Sequence, residues 1–567
     1  MVANPSCGSE DAGPWNPGIA SQVPAELRPL ATLLRPENVT TRLVSALELE
    51  QLTGFPLGEL VVFHPRRLVL HELLVRVMAD FSVPDGSRIE DLGINFREII
   101  RVLLARYLDP QMASINAAHA KCREQLSQSI LAAFAAVAKR PTSWGLPEIA
   151  ECERRAGATD EALCSASYRC LARVLSALFI VHGQPWGTRD LIVSLSTDLA
   201  CNSYGSELIG ELIEPVLQRA ATEQQYNWLP AQTQPVVINT KGPSASGKST
   251  LRPLQKRLAG ALGVNWSDFA LISPDIWRKQ LLDYSSLGSA YKYAGALTSE
   301  ELQLVDQKLD RYMARKQRRG AMSHLLIDRF RFDSFAADSA EAGSNLLTRF
   351  GHSVYLFFMI TPPDLLVERA WKRGLEVGRY KAVDDTLAHS VAAYTGMPDV
   401  FFTWVRRSDK RIHFEFLDNS VNLGELPRTV AFGSNDTLHV LDVGRMLDIE
   451  RFGRVNVDAP NARSLYRDPR SLAPEHNLGF LRKCIEEFRE VVFADQASGR
   501  VYLRIVRKVP TWVDQEALQA ALPDPNVHAS LKAVAPGALN GPAAVHPHCL
   551  GNEGFLTVGR WGPTFSI

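Results

Sequence analysis

The chain has 567 residues, which is too many for one hydrophobic core and predicts roughly three domains. Its 62 basic and 62 acidic side chains cancel, so no bulk charge favours nucleic acid as a partner, and an apolar fraction of 46% is ordinary for a soluble globular protein. Eight cysteines without a C-x-x-C pair predict reduced thiols, rather than a disulfide framework or a zinc ribbon, and hence a cytoplasmic location.

The first 30 residues are rich in Gly, Pro, Ser and Asn, which predicts a disordered tail. They lack the charged and then apolar pattern of a Sec signal peptide, and they are compatible with a type III secretion leader. No apolar run in the sequence approaches the length of a membrane span, so no membrane is expected as a partner.

Residues 31–230 predict an all-helical domain. Apolar side chains recur at helical spacing, for example from Leu70 to Phe81 and from Phe96 to Tyr107. These stripes indicate core faces and no particular chemistry. His71 is interpreted as a packing or surface residue, because no carboxylate or cysteine shares its spacing. The polar segment 224–234 marks the end of this domain.

Residues 231–425 alternate short apolar runs with helical patterns, which predicts an α/β domain with a parallel sheet and helices on both faces. Ligands of such sheets bind at the carboxyl ends of the strands, so the residues that finish each strand are the first candidates for a site. The expected strands are Val236–Thr240, Phe269–Ser273, His324–Asp328, Ser353–Ile360 and Ile412–Leu417.

The first of these strands leads into KGPSASGKST at residues 241–250, which fits the phosphate-binding pattern G-x-x-x-x-G-K-[ST]. A helical pattern follows from Leu251 to Leu262, and strand, glycine loop and helix form the context that the motif requires. Loop N–H groups would hold the phosphates of ATP, Lys248 would reach the β- and γ-phosphates, and Ser249 would bind Mg²⁺. The predicted nucleotide contacts are Gly242, Pro243, Ser244, Ala245, Ser246, Gly247, Lys248, Ser249 and Thr250.

The second strand ends in Ser273, Pro274 and Asp275. Ser273 is expected to be an N-cap and Pro274 the first helical residue, which places Asp275 in the first turn at the rim of the phosphate site. A carboxylate at this place can accept the proton of an attacking hydroxyl group. An aspartate favoured by the helix dipole is a structural explanation, and the two are compatible.

A helix is expected from Ser299 to Arg319, with a capping box formed by Thr298 and Glu301. Its last turn is strongly basic, which indicates either a solvated helix end or a patch for a polyanion. The basic residues are Arg315, Lys316, Arg318 and Arg319.

The third strand ends in Asp328, which is predicted to hold Mg²⁺ in the manner of a Walker B aspartate. The next residue is Arg329 in place of the glutamate that activates water in many ATPases, which favours transfer to a bound acceptor. Arg329 and Arg331 are candidate contacts to substrate phosphates.

The fourth strand leads into a helix start at Thr361–Asp364, and cationic side chains follow beside two glycines. Cations on a short, glycine-hinged segment are typical of a lid that closes over a phosphoryl group. The segment carries Arg369, Lys372, Arg373, Gly374, Gly378 and Arg379.

Residues 426–567 predict a small α+β region after the sheet of the central domain. Thr437–Leu441 and Val501–Val506 have the pattern of strands, and Leu478–Val491 has that of a helix. The last strand of the central domain ends in Asp418 and Asn419, which are expected near the adenine of a bound nucleotide.

The order of these motifs resembles the zeta-toxin family of P-loop kinases, which are related to polynucleotide kinases. The resemblance rests on KGPSASGKS, the strand before Asp275, the long helix, LLID at residues 325–328 and the lid from Arg369 to Arg379. It covers residues 235–420. Family members phosphorylate a sugar hydroxyl of UDP-N-acetylglucosamine, and a related branch of type III effectors phosphorylates NAD on a ribose hydroxyl.

The resemblance implies that Lys248 and Ser249 bind ATP and Mg²⁺, that Asp275 is the base and that Arg373 and Arg379 are lid cations. Asp310 is the nearest match to an acidic substrate contact of the family. The family has a glutamate where this chain has Asp328, and a glycine-rich turn where it has Arg329-Phe330-Arg331, which leaves room for an acceptor of the NAD type.

These patterns predict an ATP-dependent kinase that phosphorylates a sugar hydroxyl of a nucleotide-linked small molecule. The resemblance implies a toxin or effector, with an antitoxin or chaperone as partner and secretion into a host cell as an alternative location. Two alternatives remain: a polynucleotide 5′-kinase, because of the basic helix end, and a non-catalytic nucleotide-binding interaction protein, because of the large helical domain.

Overall fold

The computed structural model describes residues 12–138, 144–329, 348–422, 424–540, 548–551 and 556–563. These residues form a mixed α/β structure with one ten-stranded, mostly parallel sheet, which confirms the α/β class expected from the sequence. The sheet begins at Val236, and the elements before it are helices.

The N-terminal part consists of helices whose apolar stripes are buried, as their spacing predicts. Leu73, Leu74 and Val77 are inaccessible to solvent, because the helix that carries them lies at the centre of this part. The helices are α1 (Leu43–Thr53), α2 (Leu57–Leu60), α3 (Pro65–Asp80), α4 (Asp91–Leu103), α5 (Met112–Val137), α6 (Leu146–Ala158), α7 (Ala162–His182), α8 (Arg189–Ala200) and α9 (Ser206–Glu223).

Helix α7 is long and apolar enough, by length and composition, to cross a membrane. Half of its most apolar stretch is buried inside the structure. A core helix of a soluble protein can have the same length and composition, so α7 alone does not decide the matter and the absence of a membrane partner stays a prediction.

All five strands expected in the central region are present, and their ends differ from the prediction by at most one residue. They are β1 (Val236–Lys241), β2 (Phe269–Ile272), β3 (His324–Ile327), β4 (Ser353–Ile360) and β5 (Arg411–Asp418). They are parallel and follow the order β2-β3-β1-β4-β5. Strand β1 therefore lies between β3 and β4, and the residues that follow these three strands converge at one edge of the sheet.

The sheet continues beyond residue 425, where five further strands extend it from β5. They are β6 (Arg428–Ser434), β7 (Thr437–Val440), β8 (Glu490–Ala494), β9 (Val501–Val506) and β10 (Val509–Val513), in the spatial order β5-β6-β7-β8-β9-β10. The predicted helix Leu478–Val491 is wrong at its end. Phe488 has an extended backbone, and the apolar residues that follow it pair as β8 with β7 and β9.

The α-helices that the structure describes after Val236 cover or connect these strands. They are α10 (Arg252–Ala261), α11 (Arg278–Leu281), α12 (Ala294–Leu297), α13 (Ser299–Arg318), α14 (Pro363–Val377), α15 (Val383–Val405), α16 (Val443–Phe452), α17 (Gly479–Glu487), α18 (Gln515–Ala521) and α19 (Pro525–Val534).

Helix α13 joins the N-terminal helices to the sheet, and the capping box predicted at its start is absent. The Thr298 hydroxyl donates to the carbonyl oxygens of Ala294 and Gly295, each at 3.0 Å. The Glu301 carboxylate instead accepts hydrogen bonds from Arg67 and His71 of α3, at 2.6 and 2.7 Å. The hydrogen-bond partners of Glu301 thus come from a distant part of the chain, which the local sequence pattern at the start of α13 does not predict.

Candidate active site

The glycine loop after β1 has the backbone that a phosphate loop requires. A Cβ on Gly242 would lie 2.7 Å from the Cβ of Met359 on β4, so only glycine fits there. Gly247 has φ of 88°, and a Cβ on it would lie 2.3 Å from Nδ2 of Asn419. Ala245 adopts φ of 65°, which few non-glycine residues do outside tight functional loops.

The ends of two neighbouring strands hold this loop in place. Asn419, directly after β5, donates from Nδ2 to the Ser246 carbonyl oxygen at 2.7 Å, and the Thr361 hydroxyl after β4 donates to the same atom at 3.5 Å. Asp418 is fully buried and pairs with Arg428 at 2.6 Å. Of the two residues expected near adenine, Asn419 thus supports the phosphate loop and Asp418 binds an arginine of the next strand.

Lys248 is near the end of the glycine loop, and its side chain reaches back to the start of the loop. Its Nζ donates to the carbonyl oxygens of Gly242 and Pro243, at 3.1 and 2.9 Å. Burial lowers the pKa of Lys248, while the charges of Asp328 and Asp275 raise it. Both carboxylates therefore act on the same ammonium group, which places the ends of β2 and β3 beside the loop.

The two predicted magnesium ligands are in direct contact. The Ser249 hydroxyl donates to Oδ2 of Asp328 at 2.9 Å. A serine hydroxyl and an aspartate carboxylate are hard oxygen donors of the kind that Mg²⁺ prefers, so the donor set fits this ion. The helix after the loop begins with a 3₁₀ turn, and α10 starts at Arg252, one residue later than predicted.

Asp275 occupies the 3₁₀ turn Pro274–Trp277 after β2, and two arginines hold its carboxylate. Oδ2 accepts from Nη2 of Arg379 at 3.0 Å and Oδ1 accepts from Nε of Arg278 at 3.0 Å. Burial works to raise its pKa, but the charges of Arg379 and Arg278 outweigh it and hold the pKa of Asp275 far below its usual range. The side chain is 51% exposed, so it remains accessible to a substrate. Ser273 makes no side-chain cap here, contrary to expectation.

The predicted lid cations divide into two groups. Arg373 on α14 and Arg379 just after Gly378 face Asp275, and burial together with the charge of Arg379 lowers the pKa of Arg373 to about 10. The Nε atom of Arg373 is buried without a hydrogen-bond partner among the described residues. Arg369 instead donates to the carbonyl oxygens of Asn419 and Val421, at 2.8 and 3.0 Å, so it supports the end of β5.

The weaker substrate candidates are arranged differently from the prediction. Arg329 donates to Asp310 at 2.7 Å and to Asp306 at 2.5 Å, and the three side chains are at most 5% exposed. Arg329 and Asp310 thus bind each other inside the protein instead of facing a substrate. Arg331 lies outside the described residues.

Sequence reasoning missed a polar cluster beside the lid. Lys381 contacts the His389 ring and lies 3.5 Å from Oδ2 of Asp385, and His389 Nε2 lies 3.2 Å from Oδ1 of Asp385. Burial lowers the pKa of Lys381 to about 7, although the charge of Asp385 opposes this shift. Burial and the charge of Lys381 lower the pKa of His389 to about 4. The charge of Lys248 lowers the pKa of His389 further, and the charge of Asp275 raises it. The spacing of Asp385 and His389, one helical turn apart directly after the lid, was the available signal.

The four basic residues at the end of α13 divide into two pairs. Arg315 pairs with Glu207 of α9 at 2.5 Å, and Lys316 pairs with Asp80 of α3 at 2.6 Å with only 8% of its side chain exposed. Arg318 and Arg319 are exposed, so the polynucleotide alternative rests on these two residues.

Comparison with known proteins adds no family name. The chain matches no protein-family model, no curated protein and no solved structure.

Proposed function

We propose that the protein is an ATP-dependent kinase that transfers the γ-phosphate to a sugar hydroxyl of a nucleotide-linked small molecule. The observation that carries the proposal is a set of contacts around the glycine loop. Oγ of Ser249 lies 2.9 Å from Oδ2 of Asp328, and Nη2 of Arg379 lies 3.0 Å from Oδ2 of Asp275. The charges of Asp328 and Asp275 both act on Lys248. This set combines phosphate binding, metal binding and a carboxylate near a cationic lid.

The donor half of the reaction belongs to the glycine loop. Backbone N–H groups between Gly242 and Thr250 would bind phosphate oxygens, and Lys248 would exchange its two carbonyl partners for the β- and γ-phosphates. Ser249 and Asp328 would hold Mg²⁺, which neutralises charge on the phosphates. Arg373, whose buried Nε has no hydrogen-bond partner in the part of the chain that the structure describes, is suited to bind the phosphoryl oxygens as charge develops.

The acceptor half depends on Asp275. Its carboxylate is ionised, so it can accept the hydroxyl proton as the acceptor oxygen forms a bond to γ-phosphorus and the bond from γ-phosphorus to the bridging oxygen of ADP breaks. While Arg379 and Arg278 hold the carboxylate, the low pKa makes it a weak base. A γ-phosphate that attracts Arg379 would raise the pKa of Asp275 when both substrates are present.

The position after Asp328 favours transfer over hydrolysis. Arg329 is bound to Asp306 and Asp310 and is 3% exposed, so it cannot position an attacking water molecule. Asp275 lies at the end of a different strand and is half exposed. A bound hydroxyl group is therefore the nucleophile that this arrangement suits best.

The test is a mass-spectrometric screen of acceptors. Wild type and Asp275→Asn are incubated with Mg²⁺-ATP and NAD, UDP-N-acetylglucosamine, nucleosides or 5′-hydroxyl oligonucleotides. We expect one phosphorylated small molecule with wild type and about 10²–10⁴-fold slower turnover with Asp275→Asn at similar ATP affinity. Near-normal turnover of the variant would refute the role of Asp275. Bound ATP with no acceptor phosphorylated in a wider panel would refute the kinase and favour a nucleotide-binding interaction protein.

A further inference from the structure

The backbone around Asp328, the predicted magnesium ligand, is tied to the strands on both sides of β3. The N–H group of Asp328 donates to the Ile272 carbonyl oxygen at 2.9 Å, so Asp328 continues the pairing of β3 with β2. The carbonyl oxygen of the next residue, Arg329, accepts from Nζ of Lys241 at 3.4 Å. Lys241 is fully buried and ends β1 directly before Gly242. One side of the Asp328 backbone is thus held by β2 and the other by the residue that leads into the glycine loop.

The side chain of Arg329 forms a further tie, to helix α13. Its Nη1 donates to Asp310 at 2.7 Å, and its Nη2 donates to Asp306. The two aspartates are one helical turn apart on the same face of α13, so one planar guanidinium can bind both. All three side chains are at most 5% exposed. Because charge-assisted hydrogen bonds from two nitrogens of one guanidinium fix its orientation, they also restrict the backbone of the residue after Asp328.

Helix α13 is held in turn by the N-terminal helices. Lys308 donates to the Ser206 hydroxyl of α9 at 2.7 Å, and Lys316 pairs with Asp80 of α3 at 2.6 Å. By their spacing these two lysines lie on a different face of the helix from the aspartates that bind Arg329. A displacement of Arg329 would therefore have to break hydrogen bonds in the interior of the protein.

The spacing of the two predicted magnesium ligands explains why such a support matters. Oδ2 of Asp328 lies 2.9 Å from Oγ of Ser249. Mg²⁺ requires a near-ideal octahedron of oxygens at about 2.0–2.1 Å, in which adjacent ligands are about 2.9 Å apart. We propose that Arg329 is a positioning residue that keeps Asp328 at the distance from Ser249 at which both bind one Mg²⁺ ion. The inference rests on the proposed kinase function, which assigns both oxygens to the metal.

The experiment measures how much Mg²⁺ strengthens nucleotide binding. The full chain is titrated with AMP-PNP by calorimetry, once in EDTA and once with Mg²⁺ in excess, and the ratio of the two dissociation constants is the Mg²⁺ gain. We expect Arg329→Met to reduce this gain about tenfold or more, because losing a residue that orients a metal ligand commonly costs about 10–100-fold in metal affinity. The dissociation constant in EDTA should stay that of wild type. Adding Arg329→Met to Asp328→Asn should reduce the gain no further, since Arg329 acts through Asp328.

Lys316→Met is the matched control for Arg329→Met. It also removes a buried cation that pairs with a carboxylate at α13, so it should lower the stability in urea, but it should keep the Mg²⁺ gain of wild type. Asp310→Asn keeps the shape of its side chain and weakens one contact of Arg329, so it should lower the gain in the same direction. This variant gives the comparison even if Arg329→Met does not fold.

The outcomes separate the role of Arg329 from the kinase function. A Mg²⁺ gain that Arg329→Met and Asp310→Asn leave unchanged, or that Lys316→Met reduces equally, would refute the positioning role and leave the kinase standing. A double variant with a smaller gain than Asp328→Asn would also refute it, because Arg329 would then act independently of Asp328. Wild type that binds no AMP-PNP in either condition would refute the kinase and the positioning role together.

Discussion

Two groups of charged side chains differ in the ion pairs that their cations form. Between α3 and α13, Arg67 pairs with Glu301 and Lys316 pairs with Asp80, each at 2.6 Å and in the interior. At the candidate active site, Arg379 pairs with Asp275, while Arg373 forms no ion pair with a carboxylate among the described residues.

We infer from this difference that the charges between α3 and α13 stabilise the fold, whereas those at the candidate active site bind a ligand. A buried charge is tolerated when an opposite charge and hydrogen bonds satisfy it, and removing one partner is then costly. A cation without an ion pair that lies close to another cation is stabilised when an anion binds beside it. We therefore expect substitutions at the α3–α13 contact to change stability, and substitutions at the candidate active site to change binding and turnover.

The largest expected effect is on stability and concerns Glu301. Its carboxylate is fully buried, and the charge of Arg67 together with hydrogen bonds from Arg67 and His71 holds its pKa below the usual range against the effect of burial. Glu301→Gln leaves Arg67 buried without a counter-charge, so the free energy of unfolding in urea should fall by about 3–5 kcal/mol.

The control for this substitution is Glu487→Gln. Glu487 pairs with Arg406 at the surface, with side chains 29% and 49% exposed, so its loss should cost at most about 1 kcal/mol. Equal losses in the two variants would show that the α3–α13 contact is no different from a surface pair.

The second prediction concerns Arg373, which represents the candidate active site in the comparison with the α3–α13 contact. Arg373→Met removes a cation that lies close to Arg379, so the free energy of unfolding should be unchanged or slightly higher. Turnover should fall about 10²–10³-fold, because a phosphoryl group in transit loses one positive partner. Single-turnover kinetics with the acceptor found in the screen measures this loss.

Arg470→Met serves as the matched control, because this substitution removes the same charge from a side chain that is 91% exposed. A variant of Arg373 with normal turnover, or one that is as destabilised as Glu301→Gln, would place Arg373 among the charges that hold the fold.

The parts of the site that lie within one short segment could be predicted from the sequence. The glycine loop, its strand and Asp328 follow local rules, because glycine, lysine and serine at fixed spacing after an apolar run specify one backbone. The five central strands were predictable for the same reason, since buried parallel strands are continuous apolar runs.

What could not be predicted is which distant charges meet. Glu301 was interpreted as half of a capping box, but its carboxylate binds Arg67, 234 positions earlier in the chain. Arg329 and Asp310 were candidate substrate contacts, and they neutralise each other inside the protein. A local pattern reports propensity and spacing, whereas a charged side chain adopts whichever tertiary contact satisfies it.

The smallest predicted effect is a pH dependence at the α3–α13 contact. His71 is fully buried, with Glu301, Lys308, Arg67 and the Phe63 ring around it. Lys308 donates to Nδ1 at 3.2 Å, so Nε2 carries the hydrogen that is donated to Glu301 at 2.7 Å, and the ring is neutral. Burial and the charge of Lys308 lower its pKa from 6.5 to about 4.

Because the unfolded chain takes up this proton near pH 6.5 and the folded protein only near pH 4, His71 makes stability fall as the pH falls between these values. The loss between pH 7 and pH 5 should be about 2 kcal/mol. His71→Gln keeps a neutral donor and acceptor and removes the titration, so urea unfolding of this variant should lose about 2 kcal/mol less than wild type over that interval. Parallel pH curves for the two proteins would mean that His71 has the same pKa in the folded and the unfolded chain, so that burial and Lys308 do not keep its ring neutral in the α3–α13 contact.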